Sequence, residues 1–453
     1  MSAAGAFVLA VTGGEEHLRR GERLAGALAA RSRRRVAIAT DPAWNPRPLA
    51  HGDVVAIATG AASPAAAAIE LKLRLAELLP EDAVHAYLDS DVVPIADDLE
   101  PLFAAFDPPV TFAPDLPAPG ATLRRFSSHA LACPCRVEAD RLERFFARLE
   151  KLTALHRAHG EFRVLEREEA YRAARFAGER RGGKWWTGEA AGEIEGGIRF
   201  NQSWRDGRPR GIVYTLAGSS WRLEIPAGSE RGVWRDGDWS FAWRPDPSLE
   251  SGGYWESGDG DSFRREALGD WWHRAGERRR RWRADPAHDL GGRWLDAAGE
   301  DLGECDHLAE ALERVFGVAI RDRRFVPWNG GVFLFGPGCR GFFADWRERW
   351  RVLRARPEFT LRDQGALVAS VWALGLEDHP RLPAIFNRIA DRRAPGALQL
   401  SLASLLGEGV RLVHLIGGGI DDPDWRLARE LGGLTASRSA VEAPGGSTER
   451  PGT

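Results

Sequence analysis

Two aspartates one residue apart, Asp89 and Asp91, directly follow an apolar run in the segment AYLDSDVVPI (86–95). Aspartate is seldom fully buried and is depleted in strands, so a pair at the end of a core element needs a chemical reason. Residues two apart in a strand point to the same side, so both carboxylates can project together. Two such charges repel each other unless one is protonated or a cation lies between them. The spacing is therefore typical of a divalent-metal site with oxygen ligands, and the alternative is two aspartates that cap a helix or solvate a loop.

The elements that would position these acids are short apolar runs that alternate with helical patterns. Near-continuous hydrophobicity is typical of strands buried on both faces, and the alternation predicts a mostly parallel sheet with helices on both sides. Ligands bind such sheets outside the carboxyl ends of the strands, where the acidic pair lies. The predicted strands are 6–12, 35–40, 54–59, 84–89 and 110–115, and the predicted helices between them are 16–31 and 64–80.

The middle of the chain has a different pattern. After a charged helix predicted at 137–159, the segment 180–295 holds twelve of the eighteen tryptophans. Its Asp-Gly turns between alternating aromatic and polar residues are typical of antiparallel hairpins. The tryptophans are expected mainly to pack a small β core, and an acceptor-binding surface is the alternative.

The α/β pattern resumes in the C-terminal third, so the tryptophan-rich segment is an insertion. Strands are predicted there at 330–336 and 410–419, and helices at 340–356 and 361–375. Small polar residues at the C-terminal end predict a disordered tail. The predicted organisation is an N-terminal half of an α/β domain over 1–135, the insertion over 136–300, the C-terminal half of the domain over 301–434 and the tail over 435–453.

Composition argues against several classes of function. The 453 residues carry a net charge of −3, which gives no global electrostatic basis for binding nucleic acid or a membrane surface. No apolar run approaches the ~18 residues of a membrane span, and the first residues lack the positive region of a signal peptide, so we expect a cytoplasmic protein without an integral membrane segment. The four cysteines predict no disulfide framework, and the pair in CPC (133–135) is without a second pair at zinc spacing.

The surroundings of the two aspartates resemble family 8 glycosyltransferases, the group that includes glycogenin and bacterial lipopolysaccharide galactosyltransferases. The segment KLRLAELLPEDAVHAYLDSDVVPIADDLEPLF (72–103) is similar to the family's succession of helix, Leu-Pro turn, YLDxD strand and L-x-x-L helix. Similar segments follow in the family's order, at WNGGVFLF (328–335), RDQGALVASV (362–371), LPAIFN (382–387) and VHLIGGG (413–419). The resemblance covers roughly 5–130 and 305–425 and leaves the tryptophan-rich middle unmatched.

This resemblance implies a GT-A fold and a metal-dependent retaining glycosyltransferase. The donor would be a nucleotide-sugar, with a UDP-sugar expected, and the acceptor is an unknown glycan, small molecule or protein. Asp89, Asp91 and His414 would hold the ion, Mn²⁺ or Mg²⁺, and an imidazole among oxygen ligands suits manganese better. A histidine at a strand end that bonds nearby backbone is the alternative for His414.

The resemblance also implies contacts to the substrates. Lys72 would contact the donor, and Thr12 would lie near the nucleotide base. Asn329, Asp363 and Gln364 would line the sugar and acceptor side, and Asp363 or Gln364 would steady an oxocarbenium-like sugar. Structural alternatives exist for each of them, because these residue types also occur on exposed helix faces, at strand ends, in turns and in the first turns of helices.

One departure from the family pattern keeps other functions open. Where the family continues His-x-x-Gly-x-x-Lys, this chain has HLIGGGIDDPDW (414–425), with Ile420 at the position of the lysine that grips the diphosphate. A catalytically weak or inactive sugar- or nucleotide-binding protein is therefore the first alternative. A nucleotidyltransferase is the second, although that class prefers a basic residue in an N-terminal glycine-rich loop, where TGGEEHLRR (12–20) has acids first.

Overall fold

The computed structural model of the chain forms two compact units, which are described separately. The larger unit comprises Met1–Cys133, Asp285–Gly291 and Glu304–Thr453, and the smaller one comprises Pro134–Ala284 and Gly292–Gly303. The sequence predicts bounds of 136 and 300 for the insertion. The residues that the structure describes are 5–115, 122–167, 175–181, 184–194, 198–206, 208–216, 219–224, 232–265, 270–285, 292–391, 400–416, 419–422 and 425–439.

A six-stranded mixed sheet with the strand order β3-β2-β1-β4-β19-β6 forms the centre of the larger unit. The first four strands in this order run parallel, and β19 is antiparallel to both of its neighbours. Every residue of β2, β4, β6 and β19 is buried, which explains their near-continuous apolar sequences. The strands are β1 (Phe7–Ala10), β2 (Val36–Thr40), β3 (Val54–Ala56), β4 (His85–Leu88), β6 (Val110–Pro114) and β19 (Trp328–Phe335).

A second, three-stranded sheet in the same unit has the order β20-β21-β5. Its strands are β5 (Val92–Pro94), β20 (Arg388–Asp391) and β21 (Leu412–Ile416). Strand β21 is parallel to β20 and antiparallel to β5. Because only three residues, 89–91, lie between the end of β4 and the beginning of β5, this segment connects the two sheets, and both sheets can contribute side chains to one place.

The helices of the larger unit follow the predicted pattern with two corrections. The helix predicted at 64–80 is broken at Arg74, whose backbone (φ −103°, ψ 4°) leaves the helical region. The disordered tail predicted over 435–453 is wrong for residues 435–439, because they belong to helix α11 (Arg426–Ser439), whose first part packs through buried Leu427 and Leu431; residues 440–453 lie outside the described ones. The helices are α1 (Glu15–Ala29), α2 (Pro64–Leu73), α3 (Leu75–Leu78), α4 (Glu100–Ala104), α5 (Leu123–Ala130), α7 (His307–Phe316), α8 (Arg340–Leu353), α9 (Arg362–Ala373), α10 (Leu402–Gly407) and α11 (Arg426–Ser439), with 3₁₀ turns at Pro42–Trp44 and Ala384–Phe386.

The smaller unit consists of one long helix, α6 (Pro134–Arg167), and a twelve-stranded antiparallel sheet in which successive strands are neighbours. The predicted antiparallel insertion is therefore confirmed, although its helix is longer than the predicted 137–159. The strands are β7 (Arg175–Arg181), β8 (Lys184–Ile194), β9 (Ile198–Arg205), β10 (Arg208–Leu216), β11 (Ser219–Glu224), β12 (Val233–Asp236), β13 (Trp239–Pro245), β14 (Gly253–Ser257), β15 (Ser262–Arg265), β16 (Trp271–Ala275), β17 (Arg278–Ala284) and β18 (Gly292–Leu295).

Tryptophans from many of these strands form the core between the sheet and α6. The buried ones are Trp221, Trp234, Trp255, Trp271, Trp282 and Trp294. Phe146 of the helix stacks on Trp282 with ring centroids 4.3 Å apart, and Trp271 Nε1 donates a hydrogen bond to Glu150 Oε1 (2.8 Å). These six side chains have a packing role, since their faces are covered. Of the helices in the described ranges, none is both long enough and apolar enough to cross a membrane.

Candidate metal centre

Asp89 and Asp91 are brought together by a tight turn between β4 and β5. The Val92 N–H donates to the Asp89 carbonyl (3.1 Å), which closes the turn around Ser90. Strand alternation was expected to place both carboxylates on one side. This reason is wrong, because neither aspartate lies in a strand. A turn places the two carboxylates close together equally well, and it also ties them to both sheets.

A bulge in β19 forms one wall of the site. The pairing of β19 with β6 shifts register between Asn329 and Phe333, and bulges of this kind re-aim strands next to functional sites. At the bulge the Gly331 carbonyl accepts a hydrogen bond from the Asp89 N–H (2.8 Å). A Cβ atom at Gly331 would lie 2.6 Å from His414 Cε1 and 2.9 Å from Asp89 Oδ2. Only glycine therefore allows these two side chains to approach the same point.

His414 reaches the aspartates through the register of the second sheet. Its β21 position pairs with Val92 of β5, the residue that follows Asp91. Its Nε2 lies 3.2 Å from Asp91 Oδ1. Its Nδ1 lies 3.1 Å from Asn387 Oδ1, which can only accept, so Nδ1 carries the proton and Nε2 faces the carboxylates. Hydrogen bonding of the second ring nitrogen is the usual way in which proteins orient a metal-binding histidine.

The donor set fits a divalent cation. One ligand atom from each of Asp89, Asp91 and His414 lies within 4.8 Å of the other two. Asp91 Oδ1 is buried, and His414 Nε2 lies 3.2 Å from it. Such a buried carboxylate oxygen is costly unless a cation is near it. Carboxylate oxygens and imidazole nitrogens are both ligands of divalent metal ions in proteins.

Two cationic side chains balance the acids in the absence of a metal. Burial opposes the charge on Lys72, but Asp89 and Asp363 outweigh it and raise the pKa of Lys72. Burial also favours neutral His414, yet the neighbouring carboxylates, above all Asp91, raise the pKa of His414. Burial would raise the pKa of Asp91, but the charge of His414 holds that pKa below its usual value. A metal ion bound here would have to displace a proton from His414, because a coordinating imidazole is neutral.

The Lys72 ammonium bridges two acidic groups. Its Nζ lies 3.3 Å from Asp89 Oδ1 and 3.8 Å from Asp363 Oδ2, and its side chain is buried. Asp89 also accepts a hydrogen bond from the hydroxyl of Tyr87, and burial of that phenol raises the pKa of Tyr87 well above its usual value. The alternative that Lys72 is an exposed charge on a helix is wrong.

We expect Lys72→Met to destabilise the metal-free protein more than the metal-loaded protein. The substitution leaves Asp89 and Asp363 without their shared cation, at a cost of about 2–3 kcal/mol, below that of a fully buried pair because Asp89 is partly exposed. Mn²⁺ would then offset part of the loss. Thermal unfolding in EDTA and in Mn²⁺ measures the loss of stability of the metal-free and of the metal-loaded protein. Arg19→Met, which removes an exposed cation, is the control. An equal loss of stability in the two buffers would contradict this electrostatic role.

We expect Asn387→Leu to weaken Mn²⁺ binding about 10–100-fold, because the variant removes the acceptor that orients the imidazole of His414. Asn387 itself is held by a hydrogen bond from its Nδ2 to the Pro114 carbonyl (3.4 Å). Asn387→Gln keeps an amide oxygen that accepts and an amide N–H that donates, without adding a charge, and serves as the control. Calorimetric titration of the apo protein with Mn²⁺ measures the affinities, and unchanged binding in the leucine variant would exclude the orienting role.

Three further predicted residues use their side chains within the protein. Thr12 Oγ1 donates to the Asp41 carbonyl (3.0 Å) in the loop after β2, although Thr12 still lines the cavity beside the acids. Asn329 Oδ1 accepts from the Gly331 N–H (2.9 Å) inside the bulge. The Gln364 amide, in the orientation that satisfies its partners, donates to the Trp328 carbonyl and accepts from the Gly330 N–H. Asn329 and Gln364 thus support the bulge, and their contact with a sugar stays a prediction.

A cavity of about 160 Å³ opens beside the candidate ligands. Besides Thr12, Lys72 and the two aspartates, its lining includes His17 and Tyr87, which the sequence analysis does not single out. An exposed histidine in the first turn of α1 gives no local sequence signal. Tyr87 is hidden in an apolar run, where an aromatic residue is expected to pack.

No protein-family model and no curated protein sequence matches the chain. The resemblance to family 8 glycosyltransferases therefore stays a prediction, and the function has to be argued from the side chains of the site.

Proposed function

We propose that the chain is a metal-dependent retaining glycosyltransferase with a GT-A type domain, which transfers a sugar from a nucleotide-sugar to an acceptor. One observation supports this most: Asp89, Asp91 and His414, from distant parts of the sequence, meet within 4.8 Å of one another. Both aspartates also line the cavity, which is open to a ligand. This is the ligand set that the family resemblance implies for a metal that binds a diphosphate.

The chemistry of this reaction is the departure of a nucleoside diphosphate. A divalent cation held by the three ligands would neutralise the negative charge that develops on the leaving group, an effect worth several kcal/mol. Lys72 adds a fixed positive charge at the same wall of the cavity, already oriented by Asp89 and Asp363. The partly exposed carboxylate of Asp363, 3.8 Å from Lys72 Nζ, would steady positive charge on the sugar.

A second candidate function is nucleotide or sugar binding without transfer. The position of the family's diphosphate-binding lysine is occupied by Ile420, and the next residue, Asp421, forms ion pairs with Arg20 and Arg23 of α1. The carboxylate of Asp421 is thus directed to the helix rather than to a phosphate. Without this lysine we expect a lower turnover, and the metal and Lys72 would have to bind the donor.

Nucleotide-dependent stabilisation tests the proposal. We expect UDP and at least one UDP-sugar to raise the melting temperature in Mn²⁺ but not in EDTA, since a ligand at a hundred times its Kd stabilises by about 2.7 kcal/mol. Hydrolysis of the bound UDP-sugar, measured as slow release of UDP, would then distinguish a transferase from a protein that only binds the donor. If no nucleotide shifts the melting temperature in Mn²⁺, both candidate functions are wrong.

A further inference from the structure

A second group of cysteine and histidine side chains, residue types that bind metals, lies in the larger unit apart from the acidic site. It contains Cys133, which follows α5, together with Cys305 and His307 at the start of α7. One ligand atom of each lies within 4.8 Å of the others. Both cysteines are buried, and the histidine is partly exposed. The cluster joins residues more than 170 positions apart, and none of the steps proposed for sugar transfer uses it.

The distance between the two sulfur atoms fits a shared zinc ion. Cys133 Sγ and Cys305 Sγ are 3.8 Å apart. Zinc–sulfur bonds of about 2.3 Å in a tetrahedral site place two sulfur ligands about 3.8 Å apart. A disulfide would need a separation of about 2.05 Å. The side chains are thus spaced as two ligands of one ion.

The backbone holds the cluster in place from both sides. The Cys305 N–H donates to the Arg124 carbonyl (3.0 Å), which fixes Cys305 against α5. Ser127 of α5 accepts hydrogen bonds from the thiol of Cys305 (3.6 Å) and from the Leu308 N–H (2.5 Å). Helix α7 begins at His307, two residues after Cys305.

We propose that Cys133, Cys305 and His307 bind a structural zinc ion. Two thiolates and one imidazole are typical zinc ligands and leave one position of a tetrahedron. The ion would tie together the end of the larger unit's first segment, at Cys133, and the beginning of its last segment, at Glu304.

Metal analysis of the full-length protein tests this zinc site. We expect about one zinc per chain after purification without chelator, and at least about tenfold less in Cys133→Ser and Cys305→Ser. Cys339→Ser is the matched control, because Cys339 is a buried cysteine of the same unit outside the cluster. Asp91→Ala should keep its zinc, so that failure of the zinc site and failure of the proposed transferase are distinguishable.

X-ray absorption at the zinc edge keeps the proposal testable if the serine variants do not fold. The wild-type spectrum should contain sulfur ligands at about 2.3 Å and a nitrogen ligand at about 2.0 Å. Cobalt substitution should add thiolate-to-cobalt charge-transfer absorption that is absent from both serine variants. A zinc shell of oxygen and nitrogen alone, zinc content unaffected by both serine variants, or a Cys133–Cys305 disulfide in freshly purified protein would overturn the assignment.

Discussion

Asp91→Ala is expected to abolish the Mn²⁺-dependent stabilisation by UDP and to lower donor turnover about a thousandfold. The variant removes one of three potential ligands and leaves the charge of His414 without its nearest carboxylate. A loss of about 4 kcal/mol of charge stabilisation at the leaving group corresponds to that factor in rate. Lys72 would remain as the fixed cation and would account for the residual activity.

The measurement is a pair of melting curves, with and without nucleotide, in Mn²⁺ and in EDTA. Asp378→Ala is the control, because it removes an exposed aspartate in a turn outside the cluster. The melting temperature without nucleotide separates a folding defect from a binding defect. A normal UDP-induced shift in Asp91→Ala would exclude the metal site as the site of nucleotide binding.

Gly331→Ala should weaken Mn²⁺ binding more than tenfold while the protein still folds. The added Cβ would lie 2.6 Å from His414 Cε1 and 2.9 Å from Asp89 Oδ2, so the strand or both ligands must move. Such overpacking costs about 1–3 kcal/mol of stability, and the displaced ligands can no longer share one ion. A single methyl group would thus separate the acidic ligand from the imidazole.

Mn²⁺ titration by calorimetry and thermal unfolding measure these two effects separately. Gly341→Ala in α8 is the control, since no atom lies within 4 Å of its added Cβ and alanine favours a helix. The control should bind Mn²⁺ normally. Normal Mn²⁺ affinity in Gly331→Ala would mean that the bulge does not shape the metal site.

Much of the candidate site could be predicted because its acids stand out from their surroundings. Asp89 and Asp91 after an apolar run, and a lysine in a chain with only three, are visible in sequence without any contact information. The parallel part of the central sheet and the antiparallel insertion could also be predicted, since their hydrophobic patterns differ in period, whereas the antiparallel β19 within a sheet predicted as mostly parallel could not. The α/β part and the β-rich part can therefore be distinguished from the sequence alone.

Pairwise geometry could not be predicted in the same way. The register between His414 and Val92, the bulge around Gly331 and the orienting contact of Asn387 depend on which strands become neighbours. Local pattern carries no information on that choice. The same holds for the zinc cluster, because a Cys-x-His pair at 305–307 has no meaning until folding brings it to Cys133.

The position of β19 between β4 and β6 has a consequence for folding during synthesis on the ribosome. Both neighbours are synthesised by residue 114, yet the strand that fills the space between them begins at Trp328. At about 5–20 residues per second, roughly 200 intervening residues take on the order of 10–40 s to appear. During that interval two unpaired strand edges are open to wrong partners, so truncated chains that end before β19 should aggregate and depend on chaperones.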